Sequence, residues 1–480
     1  MDARQSAKLD VIAQTLKQLG KGTPTSHAGG FAPDEISALG DQLGRLSLVR
    51  EAAAKEQRIL KSLSFESRPV RHSSIPSAYS RTFEWAFEDG EPHPNPSDGD
   101  RGGPRGDLLR WLREGSGFFW VSGKPGSGKS TFMKFLADHP RVASALDQWA
   151  SPSRLVVASH YFWSAGTAMQ KSRQGLLQTL LYDIFRQLPD LIETACVERW
   201  PQATEDLHQE PWLLSELQRV LERIASQDME VKFCFFIDGL DEFEGDHVDF
   251  CRSLLELSKS PPIKLCVSSR AWNVFEDSFG RQQGSKLYIH ELTRDDIRSY
   301  AERRLQEHPR WKELEAEVSN AKWLIDQIAE RAAGVFLWVF LVTGQLRNGL
   351  TEYDSFSDLQ RRLEQIPNDL ELFFRQILES VEPFYHEKMA TTLLISLEAR
   401  EPAPIPVYAF HDAEYEDVDY ALKLAPQPTP KAQATAKREQ VARRLSARCR
   451  GLLEIAKQGH RVEFLRMPVA PPHVSRQKSW

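Results

Sequence analysis

The sequence predicts a three-layer α/β protein, in which helices cover both faces of a parallel sheet, followed by a helical region. Two observations predict this fold class. Short apolar runs alternate with longer helical patterns between residues 108 and 292, and strands that lack polar alternation are buried on both faces. After residue 292 the strand-like runs stop, and segments with helical spacing follow one another.

Five apolar runs are predicted to form the strands of the sheet. They lie at residues 118–121, 155–162, 231–237, 263–267 and 286–289. The helical patterns between them lie at residues 130–138, 175–186, 212–226 and 248–258. Further helices are predicted at residues 294–307, 321–349, 355–365, 369–381, 386–399 and 437–457, with a strand-like piece at 462–465. Two N-terminal helical patterns, at 9–19 and 36–46, are predicted either to pair with a partner helix as a coiled coil or to pack on the protein itself.

The composition of the chain indicates which classes of protein it can belong to. The chain has 480 residues, of which 41% are hydrophobic and 27% charged, as is typical of globular proteins. A net charge of −6 gives no overall argument for a nucleic-acid or acidic-membrane partner. The five cysteines lack metal-ligand spacing, and the longest apolar run, 334–343, is shorter than the roughly 20 residues that cross a bilayer. The sequence therefore predicts a cytoplasmic protein without a transmembrane segment.

Residues 123–130 read GKPGSGKS and match the phosphate-binding pattern GxxxxGK[ST] completely. They follow the predicted strand FFWV and open the helix STFMKFLAD, which is the context that the pattern requires. The glycines let backbone N–H groups reach phosphate oxygens, and the helix N-terminus adds positive potential. Lys129 is expected to reach the β- and γ-phosphates, and Ser130 to bind Mg²⁺. The predicted nucleotide-binding residues are Gly123, Lys124, Pro125, Gly126, Ser127, Gly128, Lys129, Ser130 and Thr131.

Acidic residues follow the strand FCFFID. Asp238 ends that strand, where a parallel sheet places its ligands, and is predicted to hold Mg²⁺. Asp241 and Glu242 follow within one turn, and one of them, with Glu242 favoured, is expected to orient or deprotonate the attacking water. The alternative for this run is an exposed acidic turn. Arg270, after the next strand, is expected to sense the γ-phosphate, and its alternative is a surface arginine.

GKPGSGKST, FFIDGLDEF and CVSSRAW, in that order, resemble the NACHT class of STAND NTPases. The resemblance is closest to the fungal group related to vegetative-incompatibility proteins and to the nephrocystin-like N-terminal module, and it covers roughly residues 70–400. It implies a molecular switch that rests with ADP, exchanges it for ATP or GTP, and then oligomerises to present an N-terminal effector. It also implies Mg²⁺ as cofactor, Asp238 as its ligand, Asp241 and Glu242 as hydrolytic acids, and Arg270 as sensor.

The resemblance also implies the domain order. We expect N-terminal helical segments at 1–70, a linker at 71–115 with a disordered loop at 88–106, and a NACHT-type P-loop NTPase domain at 116–292. A helical domain at 293–400, a partial winged-helix-like region at 401–465 and a disordered tail at 466–480 are expected to follow. Family members commonly carry a histidine after the last winged-helix strand, where this chain has Arg466. We therefore expect this chain to bind ADP less firmly than those family members do.

Several alternatives stay open at this stage. Besides a slow NTPase switch, the motifs allow a scaffold that binds nucleotide without hydrolysis, or a small-molecule kinase. The choice between ATP and GTP, the activating ligand and the protein effector are not determined. The acidic run 411–420 is expected to be a solvated loop rather than a metal site. The basic cluster of Arg443, Arg444, Arg448 and Arg450 is expected to form a solvated helix face rather than a phosphate-binding surface.

Overall fold

The computed structural model describes most of the chain between residues 50 and 464. The described ranges are 50–79, 82–87, 105–203, 210–226, 230–280, 285–318, 321–399, 402–417, 419–423, 431–449, 452–455 and 461–464. The predicted helical patterns at 9–19 and 36–46, most of the predicted loop at 88–106, and the predicted tail at 466–480 lie outside these ranges. Two compact units are formed: the described residues up to 65 together with 181–226, and the rest of the described chain.

The larger unit contains a five-stranded, fully parallel sheet, which confirms the predicted α/β fold. The strands are β1 (Gly117–Ser122), β2 (Arg154–Tyr161), β3 (Val231–Asp238), β4 (Ile263–Ser269) and β5 (Lys286–Tyr288). Their spatial order is β2-β3-β4-β1-β5. Strand β4 therefore separates the strand before the phosphate loop from the strand that ends in Asp238, and the tips of all three lie side by side.

Of the helices that the structure describes, three precede β1, and further helices lie in the connections between the strands. Up to β5 they are α1 (50–63), α2 (Arg68–Ser74), α3 (Arg105–Arg113), α4 (Lys129–Asp138), α5 (Pro140–Ala150), α6 (Arg173–Gln187), α7 (Leu191–Ala195), α8 (Leu214–Ser226), α9 (His247–Ser258) and α10 (Asn273–Phe279). Short 3₁₀ turns lie at Glu84–Phe87, Ala168–Lys171 and Leu240–Glu242. The start of α3 corrects the predicted loop at 88–106, because residues 105 and 106 are already helical. Apolar residues Leu108 and Leu112 bury one face of α3.

The smaller unit is held together in part by a buried ion pair. Arg199 donates to both carboxylate oxygens of Glu216, at 2.6 and 3.0 Å, and to the carbonyl of Pro211 at 3.1 Å. Its guanidinium also lies 3.9 Å from the ring centroid of Trp212. A buried guanidinium needs this many partners, because an unpaired charge in an apolar interior is costly.

A helical region follows β5. It consists of α11 (Ile289–Leu292), α12 (Arg294–Gln306), α13 (Pro309–Glu317), α14 (Ala321–Ala332), α15 (Phe336–Thr351), α16 (Phe356–Gln365) and α17 (Leu370–Glu379), followed by a 3₁₀ turn at Pro383–Tyr385. The single helix predicted at 321–349 is wrong, since the chain breaks between α14 and α15. Ala333 and Gly334 have φ angles of 43° and 83° at the break. A Cβ at Gly334 would lie 2.0 Å from the carbonyl oxygen of His290, so only glycine fits there.

The last described region is built from helix α18 (His386–Glu398), strand β6 (Ala403–Pro404), helices α19 (Ile405–Glu414), α20 (Tyr420–Lys423) and α21 (Lys431–Cys449), and the hairpin β7 (Leu453–Ile455) and β8 (Arg461–Phe464). The three strands form an antiparallel sheet in the order β6-β8-β7, and α18 packs on α21 and β8. The partial winged-helix-like region predicted at 401–465 therefore stays a prediction; in its described part the structure shows a small antiparallel sheet with helices α19, α20 and α21.

Three predictions in this region need correction. The predicted acidic loop at 411–420 is helical through Glu414, because Ile405 and Tyr408 bury one face of α19. Asp412 accepts hydrogen bonds from Arg444 and Arg448, so these two arginines are paired rather than part of a freely solvated face. The predicted basic helix at 437–457 begins at 431 and ends at 449, and its last part is strand β7. In the ranges that the structure describes, no helix combines the length and the apolar character needed to cross a membrane.

Candidate nucleotide-binding site

The phosphate loop connects the end of β1 to the start of α4. Gly126 and Gly128 have φ angles of 72° and 90°, a backbone region that side chains rarely adopt. Lys129 is the first residue of α4, so the loop ends directly on a helix N-terminus. The apolar residues Phe132, Met133 and Leu136 bury the opposite face of that helix against the sheet. The sequence-predicted residues Gly123 to Thr131 therefore form a continuous loop and the first turn of α4, at the carboxyl edge of the sheet.

Two lysines of this loop point to different partners. The Nζ atom of Lys129 donates to the carbonyls of Gly123 at 2.9 Å and Lys124 at 3.1 Å, within the loop itself. Burial lowers the pKa of Lys129, and the nearby carboxylates of Asp241 and Asp238 oppose that effect. Lys124 instead donates to the carbonyl of Ala333 at 3.1 Å, in the break between α14 and α15. Lys129 is thus the lysine that remains inside the loop.

The loop also contacts the helical region through its backbone. The N–H of Leu337 donates to the carbonyl of Gly126 at 3.1 Å. A Cβ at Gly126 would lie 3.0 Å from the Cβ of Leu337 and 3.3 Å from Val335, so the loop and the start of α15 are in close contact. Together with the Lys124 bond to Ala333, this means that a change of loop conformation must disturb the α14–α15 break.

Asp238 is buried at the tip of β3. The hydroxyl of Ser268, at the tip of β4, donates to its Oδ1 at 2.5 Å, while its Oδ2 has no hydrogen-bond partner among the described residues. Burial raises the pKa of Asp238, and the hydroxyls of Ser130 and Ser268 lower it, as do the charges of Arg71 and Lys129. An unpartnered buried carboxylate oxygen near a hydroxyl suits a hard cation that prefers oxygen ligands. The residues present therefore fit Mg²⁺, which Ser130 and Asp238 would hold.

Asp241 and Arg270 are paired across neighbouring strand tips. The Nε of Arg270 lies 2.9 Å from Oδ2 of Asp241, and the Arg270 backbone N–H donates to Oδ1 at 3.0 Å. The Asp241 side chain is only 4% exposed, whereas that of Arg270 is 44% exposed. Both carboxylate oxygens of Asp241 are therefore occupied by one residue, and Arg270 is held at the site edge rather than free on the surface.

Glu242 is arranged differently from Asp241. Its Oε2 accepts a hydrogen bond from the backbone N–H of Ser164 at 2.7 Å, and no described residue donates to its Oε1. Burial raises the pKa of Glu242, and the charge of Arg71 is the strongest opposing influence. A fixed carboxylate with one available oxygen and a raised pKa can accept a proton from water near neutral pH.

Sequence reasoning missed several parts of this edge. Ser268 lies within the motif CVSSRAW but was given no role, and Ser164 and Arg71 belong to no motif; the structure brings these residues to Asp238 and Glu242. An apolar cleft also adjoins the loop, lined by Pro76, Ser77, Tyr79, Thr82, Phe83, Thr131, Tyr300 and Phe336.

Residues 105–270, about a third of the chain, match the family model described as Nephrocystin 3, N-terminal. The matched segment begins with α3 and ends at Arg270, so it contains the phosphate loop and both acidic positions. No curated protein matches the chain.

Two solved structures are similar over much of the chain. One is the Aeropyrum pernix ORC1 protein in complex with DNA, which is 11% identical, with 75% of this chain and 86% of that chain covered and a TM-score of 0.31. The other is Drosophila ORC bound to DNA, at 12% identity, with 73% and 86% covered and a TM-score of 0.29. At such TM-scores these likenesses support no functional conclusion. The parallel sheet, the loop and the family match together agree with a P-loop nucleotide-binding fold.

Proposed function

We propose that this chain is a NACHT-type signalling switch that binds ATP or GTP with Mg²⁺, hydrolyses it slowly, and oligomerises in the triphosphate state. The observation that carries the proposal is the convergence at one edge of the sheet of Lys129, the Ser130 hydroxyl and the unpartnered Oδ2 of Asp238. A lysine, a hydroxyl and a carboxylate in this order are the groups that hold a metal-bound triphosphate. The resemblance to fungal incompatibility-type proteins adds an unknown protein effector and a fungal immune-type pathway to the proposal.

Slow hydrolysis is proposed from the two acidic positions. Glu242 would accept a proton from the water that attacks the γ-phosphorus, while the bond between that phosphorus and the β–γ bridging oxygen breaks to give NDP and phosphate. Asp241 would act as a positioning residue, because both of its oxygens contact Arg270. Mg²⁺ would neutralise negative charge on the phosphates when bound.

A switch is favoured over a scaffold or a kinase by the contacts of the loop. Gly126 and Lys124 bond directly to the α14–α15 break, so closing the loop on phosphate would change contacts of the helical region. A switch needs an element whose position depends on which nucleotide is bound, and the bonds of this break to the phosphate loop support such a role for it. A scaffold would need no such dependence, and a kinase would need an acceptor site beside Glu242.

Lys129→Ala tests the binding step. Lys129 is the loop's own cation, and a charge-assisted contact is worth about 1.5–3 kcal/mol, so the affinity for Mg²⁺–nucleotide should fall about 10- to 150-fold. Calorimetry with adenine and with guanine nucleotides would measure this fall in affinity and show which nucleobase the site prefers. The matched control is Lys259→Ala, an exposed lysine that pairs with Glu256 just before β4 begins, at the other end of the strands. Equal affinities of wild type and Lys129→Ala would refute the proposed site.

A further inference from the structure

Arg71 lies on α2, before the α/β domain that carries the nucleotide motifs. Two sets of contacts fix the C-terminal end of this helix at the carboxyl edge of the sheet. Lys134 of α4 donates to the carbonyls of His72 and Ile75, at 2.9 and 3.0 Å. The ring of His72 lies 5.3 Å from that of Tyr161, the last residue of β2.

The start of α2 is held just as firmly. The hydroxyl oxygens of Ser67 and Thr167 are 2.8 Å apart, and Gln170 donates to the Ser67 carbonyl at 3.0 Å. Both ends of α2 are therefore bonded to elements that border the phosphate site. The position of Arg71 between them is set by these contacts rather than by its own side chain.

The guanidinium group of Arg71 is left with unused donors. Its Cζ lies 5.6 Å from the ring centroid of Trp163, which follows β2. Among the residues that the structure describes, its buried Nε has no hydrogen-bond partner and the group forms no ion pair. An arginine has five N–H donors in a planar fork that matches phosphate oxygens, and a buried unpaired donor calls for a partner.

The contacts of Arg71 place its charge beside Glu242, which borders the expected terminal phosphate. Trp163, over whose ring the Arg71 guanidinium lies, is followed by Ser164, and the Ser164 N–H donates to Oε2 of Glu242 at 2.7 Å. The charge of Arg71 is also the strongest influence lowering the pKa of Glu242. Arg270, by contrast, already has a carboxylate partner in Asp241. Arg71 therefore still has hydrogen-bonding capacity to offer a ligand at this edge.

We propose that Arg71 donates to the γ-phosphate of the bound nucleoside triphosphate, so that α2 becomes a contact of the triphosphate state that the diphosphate state lacks. This inference rests on the proposed function. The loop itself would surround the α- and β-phosphates, whereas Asp238 would hold the metal and Glu242 would face the attacking water beside the γ-phosphate. An arginine supplied by the same chain can stabilise charge on a transferring phosphoryl group, as arginine fingers do.

The test compares triphosphate with diphosphate binding. Wild type, Arg71→Ala, Arg71→Lys and Arg68→Ala are titrated with AMP-PNP and ADP in Mg²⁺, or with GMP-PNP and GDP if wild type prefers guanine. Arg71→Ala should weaken triphosphate binding about 10- to 150-fold, the range for one charge-assisted contact, and leave diphosphate binding unchanged. Arg71→Lys should recover part of the affinity, because lysine keeps the charge but loses the planar fork. Unchanged diphosphate binding also shows that the variant is folded.

The outcomes separate the inference from the proposed function. Arg68→Ala removes the same charge one turn earlier on α2, and an equal loss of triphosphate affinity there would overturn the contact in favour of a general charge effect. The Arg71 contact would also be overturned if Arg71→Ala binds the triphosphate like wild type, or if it loses affinity for triphosphate and diphosphate equally. Either result would overturn the contact while leaving the proposed function intact, provided that Lys129→Ala weakens the binding of both nucleotides. If wild type binds neither nucleotide, or Lys129→Ala has no effect, the proposed function fails together with the inference.

Discussion

Replacing Glu242 and Asp241 one at a time should separate two roles that the sequence left open. Glu242→Gln keeps the shape of the side chain, and its amide oxygen can still accept the Ser164 N–H bond that Oε2 accepts at 2.7 Å. The amide cannot take a proton from water, so hydrolysis should fall by about 10²- to 10⁴-fold, the usual contribution of a general base. Nucleotide affinity should stay near that of wild type, because no phosphate contact is removed.

Asp241→Asn should behave differently. The amide oxygen keeps the bond from the Arg270 backbone N–H at 3.0 Å, but the ion pair with Arg270 Nε at 2.9 Å is lost. Because the Arg270 side chain is 44% exposed, solvent screens this pair, and its loss should cost only about 1 kcal/mol. That corresponds to a roughly fivefold effect on turnover through a less firmly held Arg270.

The two variants are compared by single-turnover hydrolysis of radiolabelled nucleotide, with calorimetric affinities measured on the same preparations. We expect Glu242→Gln to be slower than Asp241→Asn by at least tenfold, the difference between the two ranges above. If Asp241→Asn is the slower variant, Asp241 is the general base, although both of its carboxylate oxygens contact Arg270. If wild type shows no turnover at all, slow hydrolysis is refuted and the scaffold alternative gains support.

Two further predictions follow from buried charges. Asp238→Asn should abolish the Mg²⁺ dependence of nucleotide binding, measured by calorimetry with and without chelator. It should also raise the melting temperature of the nucleotide-free protein, because burial raises the pKa of Asp238 and its ionised form costs stability at neutral pH. Lys264 is buried in β4 with its pKa lowered to about 7, so the folded state loses a proton that the unfolded state keeps up to about pH 10. The free energy of unfolding of wild type should therefore rise between pH 7 and 9, by up to about 1.4 kcal/mol per pH unit, and it should rise less in Lys264→Met. Urea unfolding at several pH values would measure both. Equal pH dependence in the two proteins would contradict this prediction.

Much of the α/β domain was predictable because its signals are local. The strand that ends in Asp238 was predicted at 231–237 and is found at Val231–Asp238, since a buried parallel strand is apolar on both faces. The phosphate loop followed from its glycines, because two of them occupy φ angles that other residues rarely adopt. In both cases the sequence itself contains the physical cause of the structure.

The errors arose where contacts distant in sequence decide the outcome. The break at Ala333 and Gly334 depends on the approach of the His290 carbonyl, which no helical pattern in 321–349 reveals. The acidic loop predicted at 411–420 overlaps the end of the helix Ile405–Glu414, which is stabilised by burial of its apolar face and by the Asp412 bonds to α21. Arg71 was missed for the same reason, because its neighbours at the site belong to strands that come much later in the chain.

Buried polar groups at the site support ligand binding independently of any motif. The hydroxyl oxygens of Ser122 and Ser127 and Oδ2 of Asp238 are all buried without a hydrogen-bond partner among the described residues. These three atoms belong to the tip of β1, to the loop that follows it, and to the tip of β3. Each unpaired buried group costs about 1–3 kcal/mol, so a sequence optimised only for folding would pair or remove them. A bound metal and phosphate would supply the missing partners of the loop hydroxyl and the carboxylate. The edge of the sheet is therefore best explained as a site whose stability cost is offset when nucleotide binds.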